Sequence, residues 1–256
     1  MSDNYKQLLT DFLRETALSG GSAPVSVSTV TGDQAKAAYW IKQADLQIQR
    51  EWINWDFLWV RAPRIGIAQG SQTFPNFGSS QSTINIGGQD IDLTSNDVNK
   101  VIKKSVAIIN ASGEAHFPCY MDWHTSDFSK LYTYESQTAT DTPEYFSVMP
   151  PLNGSRSIIL SAPVSSSGLF QAYDYYRKPR ALVNDTDVSA IPDDFSRLIV
   201  VGAKIMYAEH EDAPEVSAGS HEEYEFLMSE MQAIHLPDQS FNRESHPDED
   251  LVVQVE

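Results

Sequence analysis

The chain has 256 residues, 41% of them hydrophobic and 21% charged, and a formal net charge of −17, so it can bury a substantial core as one large domain or two small ones. Its single cysteine, Cys119, excludes an intramolecular disulfide and a cysteine-based zinc site. Fourteen acidic residues lie from Glu209 onward against one basic residue, Arg243; a surface of that sign repels phosphate and excludes sequence-specific DNA binding, which needs clustered Lys and Arg.

The opening MSDNYKQLLTDFLRET lacks the apolar run of a signal peptide, and no stretch approaches the ~20 apolar residues of a membrane span. The expectation is a chain made and kept in a reducing, soluble setting without membrane contact. In that setting the N-x-S/T matches at Asn110, Asn153 and Asn184 are chance.

Residues 4–18 read as a helix, with Tyr5, Leu8, Leu9, Phe12 and Leu13 at helical spacing. The Gly-, Ser- and Val-rich stretch 19–32 reads as a loop, ending at Thr31 as the candidate cap of a second helix. That helix is expected to run to about Trp55, on a stripe of Ile41, Ala44, Ile48, Trp52 and Trp55. From 62 to about 176 the period changes to two. STINIGGQDIDL alternates around Gly87-Gly88 as a two-residue hairpin does. Further strands are expected at 101–109, 131–135, 145–149, 156–161 and 169–176, with turns at Pro150-Pro151 and Asn153-Gly154.

Helical periodicity returns at Ile191, where Pro192 suits a first turn and Asp193 and Asp194 suit the positive end of a helix dipole. Phe195, Leu198, Ile199, Gly202, Ile205 and Met206 form its expected inward face. Pro214 is expected to break it, before a fourth helix over 217–234 that turns Tyr224, Leu227, Met228 and Met231 inward. The expected organisation is α+β: N-terminal helices (1–61), a β-rich sandwich or barrel-like insertion (62–180), C-terminal helices completing one bundle (181–236) and an acidic extended tail (237–256).

Enzyme signatures are missing from this pattern. No G-x-S-x-G elbow, P-loop, G-x-G-x-x-G, H-E-x-x-H or EF-hand loop occurs. The histidines (116, 124, 210, 221, 235 and 246) include no pair at i+3 or i+4, so no catalytic residue, metal ligand or cofactor is expected. His210 and His221 sit among acids, and a solvated acidic surface explains them better than a metal. A glycosidase needs two carboxylates brought together in space, and Glu114, Asp122 and Asp127 near Trp123 could line a sugar cleft. Half-buried aromatics in strands and turns explain that stretch more simply. Cys119 has no adjacent base and reads as a small buried hydrophobe.

Trp52, Trp55, Phe57 and Trp59 crowd REWINWDFLWV, but Glu51 and Asp56 intervene where a base-stacking platform wants Lys and Arg. These four aromatics are therefore expected to be structural core or interface residues, buried at the seam between the second helix and the β block. At the other end, Leu251, Val252, Val253 and Val255 close a hydrophilic tail. They read as a segment that docks on a partner, or that returns to the chain's own β block.

Two segments, AAYWIKQADLQIQREWINWDFLWVR and YDYYRKPRALVNDTDVSAIPDDFSRLIVVGAKIMYAEHEDAPE, the latter continuing to MQAIHLP, resemble the head-to-tail adaptor (connector ring) proteins of tailed bacteriophages, including the tail tubular protein A type. The resemblance implies a structural virion protein at the head–tail junction, made in the host bacterial cytoplasm. It implies a homo-oligomeric ring, usually a dodecamer, that binds the portal protein above and a tail or nozzle protein below, with DNA passing through unread. The alternative reading is a virion-associated tail protein with cell-wall glycan hydrolase or carbohydrate-binding activity.

Overall fold

The computed structural model describes residues 3–62, 64–67, 69–71, 83–86, 89–92, 98–124, 142–148, 158–166 and 168–236. The expected strand at 131–135, the turns at 150–154 and the tail beyond 236 lie outside them. Two compact units divide the chain, Met1–Leu58 with Pro179–Glu256, and Trp59–Lys178. Helices in the first and sheets in the second make the fold α+β, as expected.

In the first unit, α1 (Tyr5–Thr16) opens with a reciprocal cap. The Asn4 side chain accepts from the Gln7 N–H at 2.9 Å, and the Gln7 side chain accepts from the Asn4 N–H at 2.8 Å, which satisfies two donors the first turn would leave orphaned. Tyr5, Leu8, Leu9, Phe12 and Leu13 are all buried. Helix α2 (Asp33–Glu51) starts from Gly32 at φ 59°, not from Thr31, and stops at Glu51, short of Trp55. The cause is tertiary. The Trp55 indole N–H donates to the Ile48 carbonyl at 3.0 Å, satisfying an acceptor that the last turn leaves open and folding the chain back on the helix end.

Helix α3 (Ser196–His210) follows a single tight turn over Asp193–Phe195. Val200, Val201 and Ala203 are buried together with Leu198 and Ile199, while Ile205 and Met206 are only partly so. Burial on nearly all sides marks a central helix, and α3 packs against α1, α2 and α4 (Pro214–His235). Pro214 starts α4 instead of merely ending α3, because a first-turn proline forfeits no helical hydrogen bond. Gly202 is the close approach of this packing: a Cβ there would lie 3.2 Å from the Ala44 Cβ and 3.3 Å from Tyr224 Cε2.

The second unit is built on three chain segments that each run through two sheets. Strands β1 (Trp59–Arg61), β2 (Ile65–Ile67), β3 (Thr83–Ile86), β4 (Gln89–Asp92), β5 (Val98–Val101), β6 (Ala107–Ile109), β7 (Ala115–His116), β8 (Cys119–Tyr120), β9 (Tyr145–Val148), β10 (Ile158–Leu160), β11 (Leu169–Ala172) and β12 (Asp174–Arg177) follow in order. One antiparallel sheet has the order β1-β12-β5 and another the order β2-β11-β6-β7. The expected single strands at 101–109 and 169–176 are therefore each broken, at Ile102–Val106 and at Tyr173. Ser105 holds the corner: its hydroxyl donates to the Ile102 carbonyl at 2.7 Å and accepts from the Asp174 N–H at 2.7 Å. Strands that bend between two sheets are how such corners are made.

Ile67, Val101, Val106, Ile108, Phe146, Leu160, Leu169 and Tyr175 belong to the core these sheets enclose, each worth roughly 1.5–3 kcal/mol of burial. A third sheet has the order β10-β9-β8, with β8 and β9 parallel. The hairpin β3–β4 pairs Thr83 with Asp92 and Ile86 with Gln89, the register expected around Gly87-Gly88.

Candidate functional site

Two of the three carboxylates considered for sugar chemistry are engaged in their own turns. Glu114 is exposed and accepts from Asn110 Nδ2 at 2.8 Å, and Asp122 accepts from the His124 N–H at 2.8 Å. Trp123 is half-buried, and Asp127 lies outside the described residues. His210 contacts Glu211 at 3.0 Å and lies edge-on to Trp40, while His221 is exposed. Among the described residues no three His, Cys, Asp or Glu side chains gather as a metal site. Cys119 is exposed, contrary to the buried hydrophobe expected, because β8 alternates and turns Tyr120 inward against Phe146 at 5.6 Å.

The four aromatics of the WINWDFLW stretch separate. Trp55 is fully buried and stacks on Phe57 at 5.2 Å; Phe57 and Phe195 both meet the His235 ring edge-on, and His235 Nδ1 lies 2.8 Å from Asp56 Oδ1. Trp52 is 40% exposed. The helical stripe had turned it inward, but α2 ends one residue before it and its backbone is extended. Trp59 in the second unit is also 40% exposed, with the Arg61 guanidinium 5.4 Å from its ring centre. Leu251, Val252, Val253 and Val255 lie outside the described residues.

Two polar networks in the first unit escaped the periodicity argument. Asp45 is fully buried on α2 and accepts from the Ser189 hydroxyl and from Gln49 Nε2 at 2.8 Å. Gln49 then clasps the Arg180 backbone, accepting from its N–H at 3.0 Å and donating to its carbonyl at 3.2 Å. Burial pushes the Asp45 carboxyl up to about 6, against the two hydrogen bonds that favour its charge. The second network joins three helices. Arg197 on α3 bonds Glu223 on α4 at 2.8 Å and also Glu15 on α1, and Lys204 reaches Glu15 at 3.2 Å. Partial burial resists ionisation of Glu15, but Arg197 and Lys204 outweigh it and hold the carboxyl below its usual range.

The first network ties α2 to the segment before α3 around a buried carboxylate, and the second fixes three helices against each other with its carboxylates partly exposed. They place no nucleophile beside a base. No helix among the described residues is long and apolar enough to cross a membrane.

A search of curated proteins finds no match. The family model of the SU10 adaptor protein matches residues 3–245, nearly the whole chain and both of its units. The bundle, the β-rich unit and the segments that resembled head-to-tail adaptors all fall within that match, and the chain belongs to the SU10 adaptor protein family, a family of structural bacteriophage proteins.

Proposed function

We propose that this chain is a ring-forming subunit of the phage head–tail junction, without catalytic activity, that joins the portal protein to a tail or nozzle protein and lets DNA pass. The family match carries the adaptor role. One observation supports the passage of DNA: the end of α3 and the turn after it expose Glu209, Glu211 and Asp212 to solvent, and a phosphate-repelling surface does not grip a moving duplex. A dodecameric ring of the tail tubular protein A type, assembled in the host cytoplasm, is the form this reading takes. The half-exposed Trp52 and Trp59 suit contacts with neighbouring virion proteins, since Trp is enriched where interfaces bury surface.

The tail residues Leu251, Val252, Val253 and Val255 follow an acidic run and have high β propensity. In this reading they add a strand to an exposed sheet edge of the portal. The test is the mass of the purified protein, alone and mixed with portal rings, for the full chain and for a chain lacking residues 246–256. The full chain is expected to form rings that attach to the portal, and the shortened chain to keep its melting temperature while attachment weakens. A large drop in melting temperature with attachment intact places the tail in the subunit's own core. A stable monomer that binds or cleaves cell-wall glycan overturns the adaptor-ring reading.

A further inference from the structure

Two outward stripes in the first unit have opposite character. On α2, Lys36, Tyr39, Gln43, Gln47 and Arg50 are three or four residues apart and line the solvent side, with Tyr39 59% exposed. Between Asp33 and Glu51 the single acid is Asp45, which is buried. Lys36 pairs with Asp33 at 3.4 Å, whereas neither Lys42 nor Arg50 has an ion-pair partner among the described residues. Beside this stripe Gln43, Gln47, Arg50 and Met206 line an open depression of about 360 Å³, with Glu51 also on its wall.

On α4, Glu222, Glu225, Phe226, Ser229, Glu230 and Ala233 fall at i, i+3, i+4, i+7, i+8 and i+11 and are all exposed, Phe226 by 61%. Those three glutamates have no ion-pair partner among the described residues. An aromatic ring ringed by carboxylates is a costly group to leave in water, and it matches the composition of interface anchors.

We propose that the α4 stripe of one copy docks on the α2 stripe of the next, with Phe226 entering the depression beside Met206 and the glutamates facing Lys36, Lys42 and Arg50. This inference rests on the ring reading and names its subunit contact. Charge complementarity selects a second copy as the occupant: the cationic stripe stands out in a unit otherwise rich in carboxylates, and the acidic stripe is what the same chain offers in return. The thioether of Met206 favours an aromatic neighbour, and the amides of Gln43 and Gln47 can donate to carboxylates. A two-fold dimer centred on the α4 stripe would set carboxylates on carboxylates. A contact between two different patches that is not reciprocated is heterologous, and its repetition closes into a ring or runs on as a filament.

The experiment measures the mass of the full chain by sedimentation velocity across concentration, for wild type, Arg50→Glu, Phe226→Asp, Phe226→Ala and the swap Arg50→Glu with Glu225→Lys. Circular dichroism melts check that each variant is folded. Expected are rings for wild type, at least tenfold weaker self-association for the single variants with unchanged melting, and recovery in the swap. Rings that persist in folded Arg50→Glu and Phe226→Ala overturn this contact and leave the ring reading standing. A wild type that stays monomeric at every concentration overturns the ring reading and this contact with it.

Discussion

Two glycines in neighbouring helices make opposite predictions for the same substitution. Gly219 on α4 is exposed, and a Cβ there meets nothing within 4 Å. Gly219→Ala then gains only the helix propensity of alanine, ~1 kcal/mol, and raises the melting temperature by roughly 2–4 °C for a chain of this size. Gly202→Ala has the same propensity gain but places its methyl 3.2 Å from the Ala44 Cβ and 3.3 Å from the Tyr224 ring. The ring can tilt; the Ala44 Cβ cannot, because it is fixed to the α2 backbone and is 2% exposed. Overpacking of this kind costs ~1–3 kcal/mol, so the net change is zero to ~2 kcal/mol of destabilisation once the propensity gain is subtracted. Gly202→Val adds two further methyls and lands at ~3 kcal/mol or beyond. Thermal melts of the three variants, followed at the helical circular dichroism band at one protein concentration, decide it. If Gly202→Ala stabilises as much as Gly219→Ala, the crossing of α2, α3 and α4 has room that these distances deny.

Trp55→Ala removes a fully buried ring and its hydrogen bond to Ile48, and is expected to cost ~3–5 kcal/mol in urea unfolding. Trp52→Ala, at a side chain 40% exposed, should lose less than half as much; equal losses would return Trp52 to the core. Asp45 is pushed up to about 6 from 3.8, so the folded state holds its proton more tightly than the unfolded state does. Its stabilising contribution is complete below pH ~4 and is lost as pH rises through 6, by up to ~3 kcal/mol. Against wild type, Asp45→Asn should flatten the fall in stability between pH 4 and 7, and a slope that survives the substitution assigns it to other groups.

Periodicity located the helices well because their inward faces repeat locally: all five apolar positions of α1 are buried as spaced. It failed where a contact outside the helical repeat decides. Trp52 and Trp55 sit at equivalent spacing, but the end of α2 is set by the Trp55 indole reaching Ile48, and nothing in the spacing separates the two. The inward face expected for α3 was too narrow, since a helix wrapped by three others buries more than one stripe. The strand breaks at Ile102–Val106 and Tyr173 depend on Ser105 reaching Asp174 across the sheet, a pairing with no local signature. The buried Asp45–Gln49 pair had a faint one: two polar residues one turn apart, each directly following an apolar position of the stripe, Ala44 and Ile48. The adaptor class, without its subtype, was legible in the two quoted segments, both within the matched residues.

The first unit is assembled from the two ends of the chain, with the second unit spliced between them. On the ribosome this imposes a wait. Helices α1 and α2 emerge early, but α3, against which both pack, starts only at Ser196. At ordinary rates of elongation the intervening residues take roughly 7–30 s to synthesise. During that interval Leu9, Phe12, Ile41 and Ile48, each 0% exposed in the finished fold, have no α3 to cover them. The second unit is no quicker, because β1 and β2 pair with β12 and β11 more than a hundred residues later, a topology of slow, non-local closure. Nascent chains are thus sticky for longest at their N-terminal helices, and lowering translation speed should hurt the soluble yield of this protein where it helps proteins whose domains complete in order.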